Sequence, residues 1–213
     1  MNWEDFLAPY KQAVEELKIK LKGMRSQFER ERVHSPIEFV TGRVKPVASI
    51  LDKAESKGIS IDKLDEELQD IAGLRMMCQF VDDIKIVVEL LRNRNDFEIV
   101  EERDYISHEK SSGYRSYHVV IKYPVQTIYG EKNILAEIQI RTLAMNFWAT
   151  IEHSLNYKYK GQFPQDIKLR LQRAAEAAYL LDKEMSEIAL EIQEAQRVFS
   201  RKNDEGQNKN NLL

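Results

Sequence analysis

The hexapeptide Glu137-Ile138-Gln139-Ile140-Arg141-Thr142 alternates strictly, and Ile134 and Ala136 extend its apolar side. Period-two alternation specifies a strand with one buried face. The opposite face carries a carboxylate, an amide and a guanidinium in a row, about 7 Å apart. By itself such a row reads equally well as a solvated surface or as a site. Two further segments, around Asp70 and around Tyr114, favour a site.

At 213 residues the chain is long enough for one substantial core and short for two. Lys and Arg number 32 against 35 Asp and Glu, a net charge of -3. General attraction to nucleic acid or to an anionic membrane is therefore not indicated, and a polyanion has to be held by a local cluster of cations. The single cysteine, Cys78, excludes an internal disulfide and suits a reducing cytosol. The start, Trp3-Glu4-Asp5, lacks the basic and apolar parts of a signal peptide. No apolar run reaches the length of a membrane span. These features predict a soluble cytoplasmic α/β domain with no membrane partner.

Tyr10, Val14, Leu17, Leu21, Met24 and Phe28 form a heptad-like helix stripe. Leu171, Ala174, Ala178, Leu181, Met185, Ile188, Ile192 and Ala195 form another. A long helix is expected at each end, packed either on the domain's own core or partly on another subunit. Pro46 opens a helix to about Lys57, whose polar flank carries Lys45, Ser49 and Lys53 at i, i+4 and i+8. Strands are expected near 71–80, 97–105, 117–123 and 134–142, with helices at 83–94 and 143–159. The pattern predicts an α/β (α+β) fold, a mixed sheet of about five strands flanked by helices. Residues 1–200 read as one domain, and the polar composition of 201–213 predicts a disordered tail.

Asp70, at the start of one strand, and Glu137, on another, are carboxylates that neighbouring strands can bring together. Magnesium suits such a pair, because it takes a few hard oxygens from protein and the rest from phosphates and water. The loop Lys110-Ser111-Ser112-Gly113-Tyr114-Arg115-Ser116 offers close backbone approach at glycine, an aromatic face for a base, and positive charge from Lys110 and Arg115. Neither a Walker loop nor a Gly-x-Gly-x-x-Gly turn is present. Arg43, Lys45, Lys53, Arg75, Arg103, Lys110, Arg115 and Arg141 read as surface charge when taken singly. Gathered in one cleft they can neutralise polyphosphates. Asn146, Thr150, His153 and Tyr157 share one face of the helix that follows Thr142, while Met145, Trp148 and Leu155 fall on packing faces.

The ordered segments Asp70-Ile71-Ala72-Gly73-Leu74-Arg75, Asp104-Tyr105-Ile106, Gly113-Tyr114-Arg115-Ser116-Tyr117-His118 and Glu137–Thr142 resemble the synthetase domain of the RelA/SpoT family. Ser35–Lys45 and Met145–His153 narrow the likeness to stand-alone small alarmone synthetases of the RelQ type. The likeness spans roughly residues 3–198. It implies a nucleotidyltransferase-like fold and transfer of the β,γ-pyrophosphate of ATP to the 3′-hydroxyl of GTP or GDP, giving pppGpp or ppGpp and AMP. Long members also carry a hydrolase domain marked by a His-Asp pair. His34, His108, His118 and His153 are followed by Ser, Glu, Val and Ser, so synthesis without hydrolysis is expected.

By that resemblance Asp70 and Glu137 hold magnesium, and Glu137 takes the 3′-hydroxyl proton. Arg43 and Arg75 sandwich adenine, and Lys45, Ser49, Lys53 and Arg103 meet the ATP phosphates or sugar. Tyr114 stacks on guanine, with Lys110, His118, Gln139, Arg141, Asn146 and His153 on the guanosine side. The RelQ type also implies a homotetramer with a cleft binding pppGpp as activator, carried over to Lys18, Lys22, Glu38, Phe39, Thr41 and Asn146. The family's four-residue marker of GTP or GDP preference is Glu101-Glu102-Arg103-Asp104 here, matching neither form, so the acceptor stays open between the two. Relatives that modify the tRNA 3′ end and RNA-binding regulators on a decayed synthetase are the rival readings. A net charge of -3 opposes the first and the intact carboxylates oppose the second. Single-stranded RNA, held by stacking on Phe39 and by lysines, is a further expected partner.

Overall fold

The computed structural model describes residues 1–159 and 163–210, apart from the side chains of 157, 158, 197, 198 and 200–210. Five strands form one sheet in the order β1-β2-β5-β4-β3. They are β1 (Phe39–Val44), β2 (Ala72–Cys78), β3 (Glu98–Asp104), β4 (Tyr117–Thr127) and β5 (Gly130–Thr142). The central pair, β2 and β5, is parallel; every other pair is antiparallel. The sheet is therefore mixed, as the alternation of strand and helix patterns leads one to expect. The strand β1 escapes the periodicity reading, because Phe-Val-Thr-Gly-Arg-Val is short, carries a glycine and buries only Val40 fully.

One face of the sheet is apolar over its central strands. Leu74, Met76, Val119, Ile121, Ala136, Ile138 and Ile140 are all buried there. Helix α1 (Trp3–Glu31) covers it with Tyr10, Val14, Leu17, Leu21 and Met24, so the N-terminal stripe packs on the domain's own core. Gly42 permits this approach: a Cβ there would meet Val14 at 2.9 Å. Helix α4 (Val81–Arg92) joins the same core through Ile84, Val87, Val88 and Leu91. Truncating a fully buried residue such as Leu17 to alanine removes about 2–5 kcal/mol of stability.

Helix α2 (Val47–Lys57) starts immediately after Pro46 and stops at Gly58, whose φ of 67° suits glycine. A single turn of helix, α3 (Leu64–Glu67), leads into Asp70. Helix α5 (Leu143–Lys158) begins where β5 ends, because the Thr142 hydroxyl accepts from the Met145 amide at 3.1 Å. Helix α6 (Gln165–Asn210) turns Ala175, Asp182 and Ser186 toward the domain. Its apolar stripe at Leu181, Met185, Ile188 and Ile192 is exposed. The two terminal stripes thus differ: one is core and the other faces out. The helix assignment runs on to Asn210, past Arg201 where composition points to disorder; the side chains there and residues 211–213 lie outside the described residues.

Candidate active site

The face of the sheet opposite α1 is polar, and strand register assembles it. Arg43 stands opposite Gly73, and Gly73 opposite Glu137. One step along, Thr41 faces Arg75, Arg75 faces Gln139, and Gln139 faces His118. Alternation keeps all of these on one side. With no side chain at Gly73, Glu137 and Arg43 border one cleft of about 230 Å³, which Lys45, Asp70, Arg75 and Gln139 also line. A second cleft of about 520 Å³ shares Arg43, Lys45, Asp70, Arg75 and Gln139, and adds Lys110, Tyr114, Arg141, Thr150 and His153. The two are continuous.

Cations crowd this space. Burial, and then the charges of Arg141 and Arg43, push the Arg75 guanidinium below its usual value. Asp70 answers part of that charge: its Oδ2 accepts from Lys45 at 2.7 Å and from Lys53 at 2.6 Å. Burial alone would raise the Asp70 carboxyl, but the two ammoniums outweigh it and hold the group below the usual carboxylate range. Its other oxygen, Oδ1, is buried without a hydrogen-bond partner.

Glu137 is nearly buried at 7% exposure, so the polar row on β5 is no solvated surface. His118 Nδ1 lies 3.1 Å from Glu137 Oε1, and Gln139 Nε2 donates to Oε2 at 2.7 Å. Desolvation raises the Glu137 carboxyl. The hydrogen bond and charge of His118, the Gln139 amide and the charge of Lys53 overcome it, and the pKa falls to about 2. His118 Nε2 is 2.8 Å from the Tyr114 hydroxyl, which accepts from Arg141 Nη2 at 2.5 Å. Arg141 also donates to Gln139 Oε1 at 2.8 Å. His118 thus links Tyr114 and Glu137 through its two ring nitrogens, and Arg141 and Gln139 close the ring between them. Burial raises the Tyr114 phenol despite the pull of Arg141, which keeps its O–H available to donate.

The remaining residues singled out in the sequence divide. Arg103 reaches within 3.8 Å of Glu137 and is held by Glu101 at 2.6 Å and by Gln69. Lys110 stands 4.5 Å over the Tyr105 ring and 5.0 Å over Tyr114. Ser49 lies one turn before Lys53 on α2 and lines neither cleft. Asn146 also lines neither, but its Oδ1 is buried without a partner. Leu155 is 42% exposed and does not pack as its position suggests, whereas Met145 and Trp148 do. The Tyr157 side chain lies outside the described residues. Arg115 is a correction. It is 7% exposed and donates to Glu176 on α6 at 2.9 Å, so it does not offer its charge to the cleft. Glu101 belongs to the four-residue marker and Gln69 precedes the Asp70 motif, but nothing in the sequence marks them as the holders of Arg103.

Among the residues carried over for an activator, Lys18 pairs with Glu15 at 2.8 Å and Lys22 is exposed. Glu38 accepts from Gln79 at 3.1 Å, and Phe39 is 40% exposed. Thr41 lines the first cleft, beside Arg43 and Glu137.

Residues 42–162 match the sequence profile of the region found in RelA/SpoT proteins. The chain belongs to the RelA/SpoT family. It is 69% identical over 201 residues to the GTP pyrophosphokinase YjbM of Bacillus subtilis (strain 168), covering 94% of this chain and 95% of that protein. The crystal structure of the small alarmone synthetase 1 from Bacillus subtilis bound to its product pppGpp superposes with a TM-score of 0.87 at 68% identity, covering 90% of this chain and 98% of that one. The same enzyme bound to AMPCPP superposes at 0.80 with 64% identity and the same coverage. Both the fold and the family expected from the motifs are therefore borne out.

Proposed function

We propose that this RelA/SpoT family chain is a (p)ppGpp synthetase that transfers the β,γ-pyrophosphate of ATP to the ribose 3′-hydroxyl of GTP or GDP, releasing AMP. The observation that carries this is a continuous cleft in which mutually repelling guanidiniums surround two ionised carboxylates, Asp70 and Glu137. Such a cleft is short of negative charge until polyphosphates enter. Similarity to an enzyme crystallised with pppGpp and with AMPCPP supports the same reading.

Arg43 and Arg75 are the residues to hold adenine, with Lys45 and Lys53 leaving Asp70 for the ATP phosphates. Asp70 and Glu137 fit a magnesium ion: both are anionic hard donors lining one cleft, and Asp70 Oδ1 is left without a hydrogen-bond partner. No cluster of three His, Cys, Asp or Glu suited to a metal exists among the described residues, consistent with an ion that takes its other ligands from phosphates and water. When bound, the metal would neutralise charge on the transferred group.

On the acceptor side, Tyr114 stacks on guanine while Lys110, Gln139, Arg141 and His153 meet the rest of the nucleotide. Glu137 aligns the 3′-hydroxyl and takes its proton as the new P–O bond forms. A carboxyl held near 2 is a weak base. The loose transition state of phosphoryl transfer asks for little deprotonation before attack, so alignment matters most. Arg103, beside Glu137, stabilises negative charge at the reacting centre.

The exposed apolar stripe on α6 supports assembly into a homotetramer, with pppGpp bound as activator at a shared cleft. Among the described residues no helix is long and apolar enough to cross a membrane, which agrees with a cytoplasmic location.

Anion-exchange analysis after incubation with ATP, magnesium and GTP or GDP tests the reaction. Penta- or tetraphosphate and AMP in equal amounts are expected; ADP and orthophosphate without them would overturn it.

A further inference from the structure

Residues 110–116 carry the guanine platform but belong to neither a strand nor a helix, so something outside them has to fix their position. Their internal bonds are few: Gly113 N donates to Lys110 O at 2.7 Å, Lys110 N to Tyr114 O at 3.3 Å, and Tyr114 N to Ser112 Oγ at 3.4 Å. Arg141 and His118 hold the Tyr114 hydroxyl at the tip of its side chain, and the residues on either side of Tyr114 are held by α6. Gly113 sits at φ 86° against that helix, where an added Cβ would lie 2.6 Å from Ala175 Cβ. Two residues later the Arg115 guanidinium lies 4.2 Å over the Tyr179 ring, and its Nη2 donates to Glu176 at 2.9 Å. Glu109 adds a second carboxylate at 3.7 Å.

We propose that Arg115, Glu176 and Tyr179 are positioning residues for the guanosine acceptor, clamping the loop so that Tyr114 is held ready to stack. This rests on the reading of Tyr114 as the guanine platform. The physical reason is geometric. Tyr114 lies between Gly113, pressed on Ala175, and Arg115, fixed by the adjacent Glu176 and by the Tyr179 ring one turn further along α6. Both neighbours of the platform residue are thereby tied to one rigid element. Arg115 touches neither cleft, so its removal acts through the loop alone. Ordering the loop beforehand spares that entropy cost when the acceptor binds. The ATP side, built on β1, β2 and α2, shares no part of the clamp.

The test is steady-state kinetics with GTP and ATP varied separately, for wild type, Arg115→Met, Arg115→Lys, Glu176→Gln and Tyr114→Ala. Arg115→Met should raise the KM for GTP roughly tenfold, the loss of one good charge-assisted contact, and leave the KM for ATP unchanged. Arg115→Lys, which keeps charge over the ring, should recover part of that loss, and Glu176→Gln should move the same constant by less. Glu176 is 54% exposed at its side chain, so that variant decides the matter on the same KM split if Arg115→Met fails to fold. Equal changes in both KM values, or none, alongside a raised GTP KM in Tyr114→Ala would overturn the clamp and spare the platform. An unchanged GTP KM in Tyr114→Ala would overturn both.

Discussion

His118 donates from Nδ1 toward Glu137 Oε1 at 3.1 Å, and this contact does more than any other to keep the buried carboxylate ionised. Without it, burial would press Glu137 toward its neutral form. The charge state of Glu137, the residue proposed to align the nucleophile, is thus set by a neighbouring strand.

His118→Ala should therefore move the acid limb of the pH–rate profile upward. Wild-type Glu137, with its pKa near 2, stays ionised across the accessible acid range, whereas the variant should lose activity progressively as pH falls toward and below the ordinary carboxylate range. Measuring kcat/KM from pH 4 to 8 checks this; superimposable profiles would remove His118 from that role.

Glu137→Gln keeps the side chain's size and removes its charge. Turnover should fall by about 10²–10⁴-fold, the usual scale for a lost acid–base group. Guanosine nucleotide binding, followed by calorimetry, should weaken far less, because Tyr114 and the cations remain.

If Asp70 holds magnesium as proposed, Lys53 and Lys45 compete with the ion for it. In Lys53→Met one of the two ammoniums at 2.6–2.7 Å is gone, so Mn²⁺ alone should bind more tightly than to wild type when titrated by electron paramagnetic resonance without nucleotide. The same change should raise the KM for ATP roughly tenfold, since an ammonium that meets phosphate is lost. Weaker metal binding in the variant would show that Lys53 does not guard Asp70.

Asp182 on α6 is 6% exposed, accepts from the Thr142 hydroxyl, and has its pKa pushed up to about 6 by burial despite that bond. A raised carboxyl favours the fold below its unfolded pKa, and that contribution is lost as pH rises through about 6. Asp182→Asn should therefore raise the melting temperature at pH 8 relative to wild type, by up to about 2–3 kcal/mol of stability. The gain should shrink toward zero near pH 4, as thermal melts at the two pH values would reveal.

If pppGpp activates through a cleft lined by Lys18, Lys22 and Phe39, it does so by binding the active assembly more tightly. A Lys22→Ala, Phe39→Ala double variant should lose stimulation by added pppGpp while its unstimulated rate stays within a few-fold. Initial rates with and without pppGpp, and light scattering for assembly, decide it. Thr41 is not suited to this test, because it lines the proposed substrate cleft.

The sequence by itself determined most of the architecture and the chemistry of the cleft. Period-two alternation made Ile134–Thr142 a strand with one polar face, the heptad-like stripe made Tyr10–Phe28 a long helix, and the ordered motifs named the family. Those signals are local, and local signals survive in one dimension. β1 was illegible because its glycine and short length leave too few alternations to count. Tertiary structure alone decided what each polar side chain meets. Arg115 and Arg141 look alike in the sequence, yet Arg141 lines the cleft and Arg115 is turned onto Glu176 and Tyr179. Likewise the stripe on α6 is as regular as that on α1, but the helix docks through Ala175, Asp182 and Ser186 and leaves its apolar residues outside. Pairing and burial depend on which distant strand or helix arrives opposite a residue, and spacing along the chain carries no record of that.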